Sequence, residues 1–241
     1  MSQPSSHPQR NMAGPSSTYG DRRYDYVQES SYILPSDSAA EIARLANQDR
    51  LFNEVHQLLP PGIPEDGRVL DLGCGAGAWC AEVAFQYPQM EVIGIDISEV
   101  LVNYSRASAR TQLLDNARFE VMDVRKPLAY EDGRFDLVNA RFLSPVLHAE
   151  EWSAVVRQMV RVTRPGGIVR LIDTDGNTVV SSPALKKFRD LIIATMETDG
   201  RTLILAPYFK IWLSEAGCSE IQLISHLIDF SAGENRSPGH L

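Results

Sequence analysis

Cysteine is scarce. Three residues in 241, Cys74, Cys80 and Cys218, make an odd set with no C-x-x-C spacing. That argues against a disulfide framework and against a zinc site, and a reducing, cytoplasmic setting is expected. The five histidines (His7, His56, His148, His226, His240) are scattered without an H-x-x-x-H pair, so no metal centre is expected. Basic charge is also lacking: 23 Lys and Arg stand against 31 Asp and Glu, a net charge of −8. A general nucleic-acid or anionic-membrane binder needs a basic face, so neither partner is expected. No apolar run approaches the ~18–20 residues of a membrane span. The opening MSQPSSHPQRNMAGPSSTYG has no apolar core of the kind a secretory signal needs. What remains is ordinary: 44% hydrophobic and 22% charged residues, as in a globular domain of ~100–200 residues with a small addition.

Along the chain, residues 1–20 are rich in Ser, Pro, Gly and Gln and read as a tail that cannot pack. Residues 21–64 read as a cap segment. Tyr24, Tyr26, Tyr32, Ile33 and Leu34 lead into Ser38 and Glu41, an S-x-x-E helix start. Ile42, Leu45, Phe52, Val55 and Leu59 follow at helical spacing, and Pro60-Pro61-Gly62 stops the helix. From residue 65 to 241 strands alternate with helices. Strands are expected at Val69–Leu72, Glu91–Ile97, Arg118–Met122, Phe135–Ala140 and Ile168–Asp173, the last turned in by Pro165-Gly166-Gly167. Helices are expected at Ala76–Tyr87, Glu99–Leu114, Trp152–Val162, Pro183–Thr198 and Tyr208–Gly217, with Leu185, Phe188, Leu191, Ile192 and Met196 facing inward. This alternation predicts an α/β fold: a Rossmann-like, doubly wound, mostly parallel sheet behind an N-terminal helical cap.

In such a sheet ligands bind outside the carboxyl ends of the strands. Asp71 to Gly77, Asp96, Asp123, Asn139 and Asp173 all fall at those ends. Gly73-x-Gly75-x-Gly77 lets the backbone turn tightly and approach a ligand at a helix start; an empty strand-to-helix turn would also suit it. Asp96, 19 residues after Gly77, can accept both hydroxyls of a ribose, or merely cap a helix. A dinucleotide enzyme uses the same two features. Three others favour S-adenosylmethionine: Asp71 before the glycines can hold a cationic amino group, Asp123 can accept from an adenine amino group, and Pro165-Gly166-Gly167 precedes the fifth strand.

The segments VLDLGCGAG (69–77), EVIGIDIS (91–98), FEVMDV (119–124), FDLVNA (135–140) and RVTRPGGIVRL (161–171), in that order, resemble the successive motifs of class I S-adenosylmethionine-dependent methyltransferases. YILPSDSAAEIARLANQ (32–48) resembles the cap of small-molecule members, many of them from secondary metabolism. The resemblance implies that Asp71, Gly73, Gly75 and Gly77 line the methionine part of the cofactor. It places Asp96 on the ribose and Ile97 and Met122 beside the adenine. Asp123, with the Val124 N–H, reads the adenine edge. Asn139 and Ala140 meet the amino group through their carbonyls. Arg44, Tyr26 and Tyr32 of the cap have two readings, closure over the cofactor or ordinary surface and packing roles. The family's sheet ends in a sixth strand and an antiparallel seventh. Here only Glu220–Phe230 reads as such a strand; self-association through that edge is expected, with a truncated form whose edge a local loop covers, or an altered strand order, as the alternatives.

Methyl transfer is an in-line displacement, and holding the acceptor ~3–3.5 Å from the methyl supplies much of the rate. A hydroxyl acceptor also needs a base. His148, past the fourth strand, is the candidate, with Asp173 and Asp175 as others. Arg141 has two readings, anchor for an acidic substrate or partner of a neighbouring acid. Trp79, Trp152, Phe188, Tyr208, Phe209 and Trp212 read mostly as core, with a substrate wall as the alternative. No NPPY-type loop follows the fourth strand, which argues against the base- and glutamine-methylating branches. The expected partner is a small, apolar substrate. A cyclase or regulator that keeps the fold without methylating is the alternative, and an NAD(P) oxidoreductase a weaker one.

Overall fold

Five runs rich in apolar residues each form a strand. They are β1 (Arg68–Leu72), β2 (Glu91–Asp96), β3 (Ala117–Val121), β4 (Phe135–Arg141) and β5 (Thr163–Ile172). A computed structural model of the chain describes residues 38–55, 57–174, 176 and 182–226. The 1–20 segment, Tyr24, Tyr26, Tyr32 and Asp175 lie outside the described residues. The strands pair in parallel in the order β3-β2-β1-β4-β5. Chain order therefore reverses between β1 and β4, the doubly wound arrangement expected. Helix α1 (Ala39–Val55) precedes the sheet; α2 (Ala78–Gln86), α3 (Glu99–Thr111) and α4 (Trp152–Val162) lie in the crossovers; α5 (Pro183–Thr198) and α6 (Ala206–Glu215) follow.

Alternation along the strands sends side chains to opposite faces. Val69, Val92 and Leu137 join Trp79, Cys80, Val83 and Val102 of α2 and α3 in one core. Leu70, Leu72, Ile93 and Ile95 join Trp152, Val155 and Met159 of α4 in the other. The indole of Trp152 stacks on Trp212 of α6 with ring centroids 5.4 Å apart. Ser98 caps α3, its Oγ accepting from Leu101 N at 3.3 Å. Ser38 does the same for α1, accepting from Glu41 N at 3.1 Å.

Three expectations are corrected. Pro165-Gly166-Gly167 lies inside β5, as a bulge: Phe135 pairs with Thr163 and Leu137 already with Ile168. The backbone folds on itself so closely there that a Cβ on Gly167 would sit 2.7 Å from Thr163 Cγ2. The late strand is absent from Glu220–His226, which is irregular; residues 227–230 lie outside the described residues. Among the described residues β5 is thus a sheet edge, and the reason to expect pairing through a late strand falls away. Finally, α5 does not face inward. Leu185, Phe188, Leu191 and Ile192 are exposed and only Met196 of the stripe is buried. A helical stripe records which residues share a face, not whether anything covers it.

Candidate active site

The glycine loop follows β1 with three residues in left-handed backbone: Gly73 (φ 67°), Gly75 (φ 55°) and Gly77 (φ 76°). A Cβ on Gly73 would lie 2.6 Å from Leu143, and one on Gly77 would lie 2.7 Å from both Phe119 and Ser105. Only glycine satisfies both the backbone and the space. The loop is then tied across the crevice: Gly75 N donates to Asp96 Oδ2 at 3.0 Å and Ser98 N to Asp96 Oδ1 at 2.8 Å. Asp96 is thus at once a helix-start acid and the partner of the loop. Burial raises its pKa, with the Ser98, Gly75 and Ile97 amides pulling back.

Beside the loop, register puts Asp71 opposite Asn139 and Asn139 opposite Arg170. Their side chains form a ladder over three strands. Asn139 Nδ2 donates to Asp71 Oδ1 at 2.6 Å, and Arg170 Nε donates to Asn139 Oδ1 at 2.7 Å. Cys80 Sγ approaches Asp71 Oδ2 at 3.8 Å. Burial pushes the Asp71 carboxyl up to about 6, although Arg141, Asn139 and Arg170 favour its charged form. Burial likewise lowers Arg170 to about 10, which leaves it charged at neutral pH. The guanidiniums of Arg170 and Arg141 both lie over the Trp79 ring, at 5.4 and 5.7 Å. Arg141 Nη2 donates to Asp49 Oδ1 of α1 at 2.7 Å. Of its two readings, partner of a neighbouring acid holds. Phe142, next in the chain, has φ 55°, a strained conformation for a bulky residue. Its ring meets Phe52 of α1 with centroids 4.4 Å apart.

The comparisons with known proteins identify the family. The family model for a methyltransferase domain matches residues 63–216. The chain belongs to that methyltransferase family. It is 32% identical to the secondary metabolism regulator laeA of Coprinopsis cinerea over 65% of this chain and 39% of that protein. It is 26% identical to the methyltransferase str2 of Strobilurus tenacellus over 82% of this chain and 72% of that one. The match to laeA thus spans well under half of that protein. In fold the chain is similar to a SAM-dependent methyltransferase from Aquifex aeolicus, with TM-score 0.55 and 19% identity over 75% of this chain and 88% of that one.

The other expected residues of this methyltransferase-family chain fall at varied distances from the ladder. Both oxygens of Asp123 are taken by Arg125, whose Nε and Nη2 donate at 2.8 and 2.9 Å. Burial would raise the Asp123 pKa, but the Arg125 contacts outweigh it and the net shift is down. Met122 N donates to Asp96 O at 2.9 Å, which brings the β3 end to the β2 end. Ile97 is half-buried, and Val124 and Ala140 are buried. Asp173 is enclosed: Ser144 N, Ser144 Oγ and Thr174 N donate to it at 2.9, 2.7 and 2.8 Å. Burial still raises it to about 6. His148 is held locally, its N donating to Glu151 Oε2 at 2.8 Å and its ring 3.3 Å from a Cβ placed on Gly200. Arg44 pairs with Glu41 along α1. Trp79 and Trp152 are core and Phe188 is exposed.

Asp49, Phe142, Ser144 and Arg170 were not singled out from sequence, and Phe52 was read only as part of the apolar helical stripe. Arg170 carried a signal, a charge inside the apolar run 168–172 of β5. So did Asp49, a charge on the apolar stripe of α1. A cavity of about 350 Å³ lies on the helix side of the loop, between Ala46, Gly77, Phe85 and Tyr104; none of the strand-end carboxylates lines it. The described residues hold no group of three or more His, Cys, Asp or Glu able to bind a metal ion. None of the described helices is long and apolar enough to cross a membrane.

Proposed function

We propose that the chain transfers a methyl group from S-adenosylmethionine to a small, apolar acceptor in the cytoplasm. The observation that carries this reading is the Gly75 N to Asp96 Oδ2 bond at 3.0 Å. It joins a glycine-rich loop to a carboxylate at the switch point of a doubly wound sheet, where a nucleoside with a charged tail fits. The left-handed glycines keep the cradle open, and the Asp71 carboxylate stands behind it for a cationic amino group. When bound, S-adenosylmethionine supplies a methyl on a positively charged sulfur.

The roles follow the strand ends. Asp71, Gly73, Gly75 and Gly77 hold the methionine part; Asp96 accepts from the ribose hydroxyls. Ile97, Met122, Asp123 and Val124 enclose the adenine, while the Asn139 and Ala140 carbonyls take the amino group. The Asn139 side chain is spent on Asp71 and Arg170 and acts only through them. Residues 65–241 form the cofactor-binding body and 21–64 the cap. Orientation carries most of the rate. For a hydroxyl acceptor His148 is the base, since Asp173 is held by Ser144 and Thr174. Neither nucleic acid nor membrane is a partner, in keeping with the −8 charge.

Calorimetry with S-adenosylmethionine and with NADH tests the cofactor. Mass spectrometry of the chain with a panel of small apolar amines, thiols and phenols tests the reaction. The expected result is S-adenosylmethionine binding, release of S-adenosylhomocysteine and a gain of one methylene on an acceptor. Binding of NADH in preference would overturn the reading.

A further inference from the structure

Leu45, Asp49 and Phe52 share one stripe of α1, and all three reach the crevice. Leu45 Cδ1 lies 3.7 Å from a Cβ placed on Gly75 of the loop after β1. One turn on, Asp49 pairs with Arg141 at the end of β4. A turn further, Phe52 packs on Phe142. The helix therefore crosses from the β1 loop to the β4 end, over the point where strand order reverses.

Beyond α1 the chain is pinned. Arg170 Nη1 and Nη2 each donate at 3.0 Å to the carbonyls of Gln57 and Leu58, and Trp79 Nε1 donates to Leu58 O at 3.1 Å. Arg141 belongs to a central strand and stays with the sheet. Asp49 belongs to the helix and leaves with it. We propose that the Asp49–Arg141 pair is a latch closing α1, hinged at Gln57–Leu58, over the cofactor crevice, and that Asp49 is a positioning residue controlling cofactor entry and product release. This rests on reading the crevice as the cofactor site.

The chemistry of the pair suits a latch. Its side chains are only 8% and 12% exposed. A desolvated ion pair adds little stability over an apolar contact, because the hydration it gives up offsets the Coulomb gain. Opening returns both charges to water, so open and closed states lie close in free energy. Removing Asp49 is different: it takes away a charged contact that the closed state makes and the open state lacks, and so favours opening. The Phe52–Phe142 contact adds a second catch on strained backbone.

Stopped-flow release of S-adenosylhomocysteine from the full chain tests the latch. Asp49→Asn should release it about tenfold faster, and Asp49→Glu, which keeps the charge, should restore most of the wild-type rate. A folded Asp49→Asn that binds S-adenosylhomocysteine and releases it at the wild-type rate overturns the latch. A wild-type chain that binds none overturns the cofactor reading instead. Hydrogen exchange on the wild type covers a variant that fails to fold. Bound S-adenosylhomocysteine should slow exchange of the α1 amides about tenfold while the α4 amides hold constant, and equal α1 exchange with and without it overturns the proposal.

Discussion

Asn139 Nδ2 donates to Asp71 Oδ1 at 2.6 Å while Asn139 Oδ1 accepts from Arg170 Nε at 2.7 Å. One fully buried amide thus satisfies a carboxylate on one side and a guanidinium on the other. An amide carries both the donor and the acceptor that this position uses. Asn139→Leu should therefore destabilise the fold by about 3 kcal/mol, since two buried charged groups each lose a partner. Urea denaturation should show a lower midpoint at unchanged slope. A loss below about 1 kcal/mol would show that water replaces the amide.

The raised pKa of Asp71 sets a pH dependence. Below about 6 its carboxyl is protonated and does not attract an ammonium group. Affinity for S-adenosylmethionine should rise as pH goes from 5 to 7, by no more than tenfold per pH unit for a single proton. Asp71→Asn should bind weakly with a flat profile over that window. Stability moves the other way. Asp71 and Asp173 bind protons more tightly folded than unfolded, so their contribution is fully present below 3.8 and is lost as pH rises through about 6. Asp123 and Asp136, with lowered values, oppose this by losing stability as pH falls. Calorimetric melts of Asp173→Asn should show a flatter change between pH 4 and 6 than the wild type.

The sheet was legible because the strands are runs rich in apolar residues, four of them with an acid or a glycine at or just past the end, and this pattern is local. Asp71, Asp96 and the glycines could be read for the same reason. The start of β5 could not: Pro165 and two glycines look like a turn, and only pairing with β4 shows a bulge. The ladder was hidden because it depends on the register of three strands, which period-2 alternation does not set. Asp49 and Arg141 are 92 residues apart, and no local pattern joins them. Asp123 and Arg125 are two residues apart, so that pairing was within reach.

Gly77 and Gly62 make a controlled comparison. Both are left-handed, at φ 76° and 91°, but a Cβ on Gly62 meets nothing within 4 Å and one on Gly77 meets Phe119 and Ser105 at 2.7 Å. Gly62→Ala should cost only the backbone term, about 1 kcal/mol. Gly77→Ala adds overpacking of about 1–3 kcal/mol against two buried neighbours. Thermal melts of both variants measure the difference. Equal shifts would show that α3 yields to the added methyl.

Asp96 should decide cofactor affinity, and its two backbone bonds say how to test it. Asp96→Ala removes the acceptor for ribose hydroxyls, with an expected loss of about 2–4 kcal/mol of binding. It also frees Gly75 N and Ser98 N, so the loop loosens and part of any loss could be indirect. Asp96→Asn separates the two. Its single carbonyl oxygen keeps one backbone bond, and its NH₂ repels the Gly75 or Ser98 donor, yet the volume is unchanged. Binding of S-adenosylmethionine and of free adenosine, which share the ribose but not the charged tail, should fall by similar factors if Asp96 holds the ribose. A fall for S-adenosylmethionine alone would move the effect to the glycine loop. Calorimetry on both ligands, with melting curves to confirm folding, tells these apart.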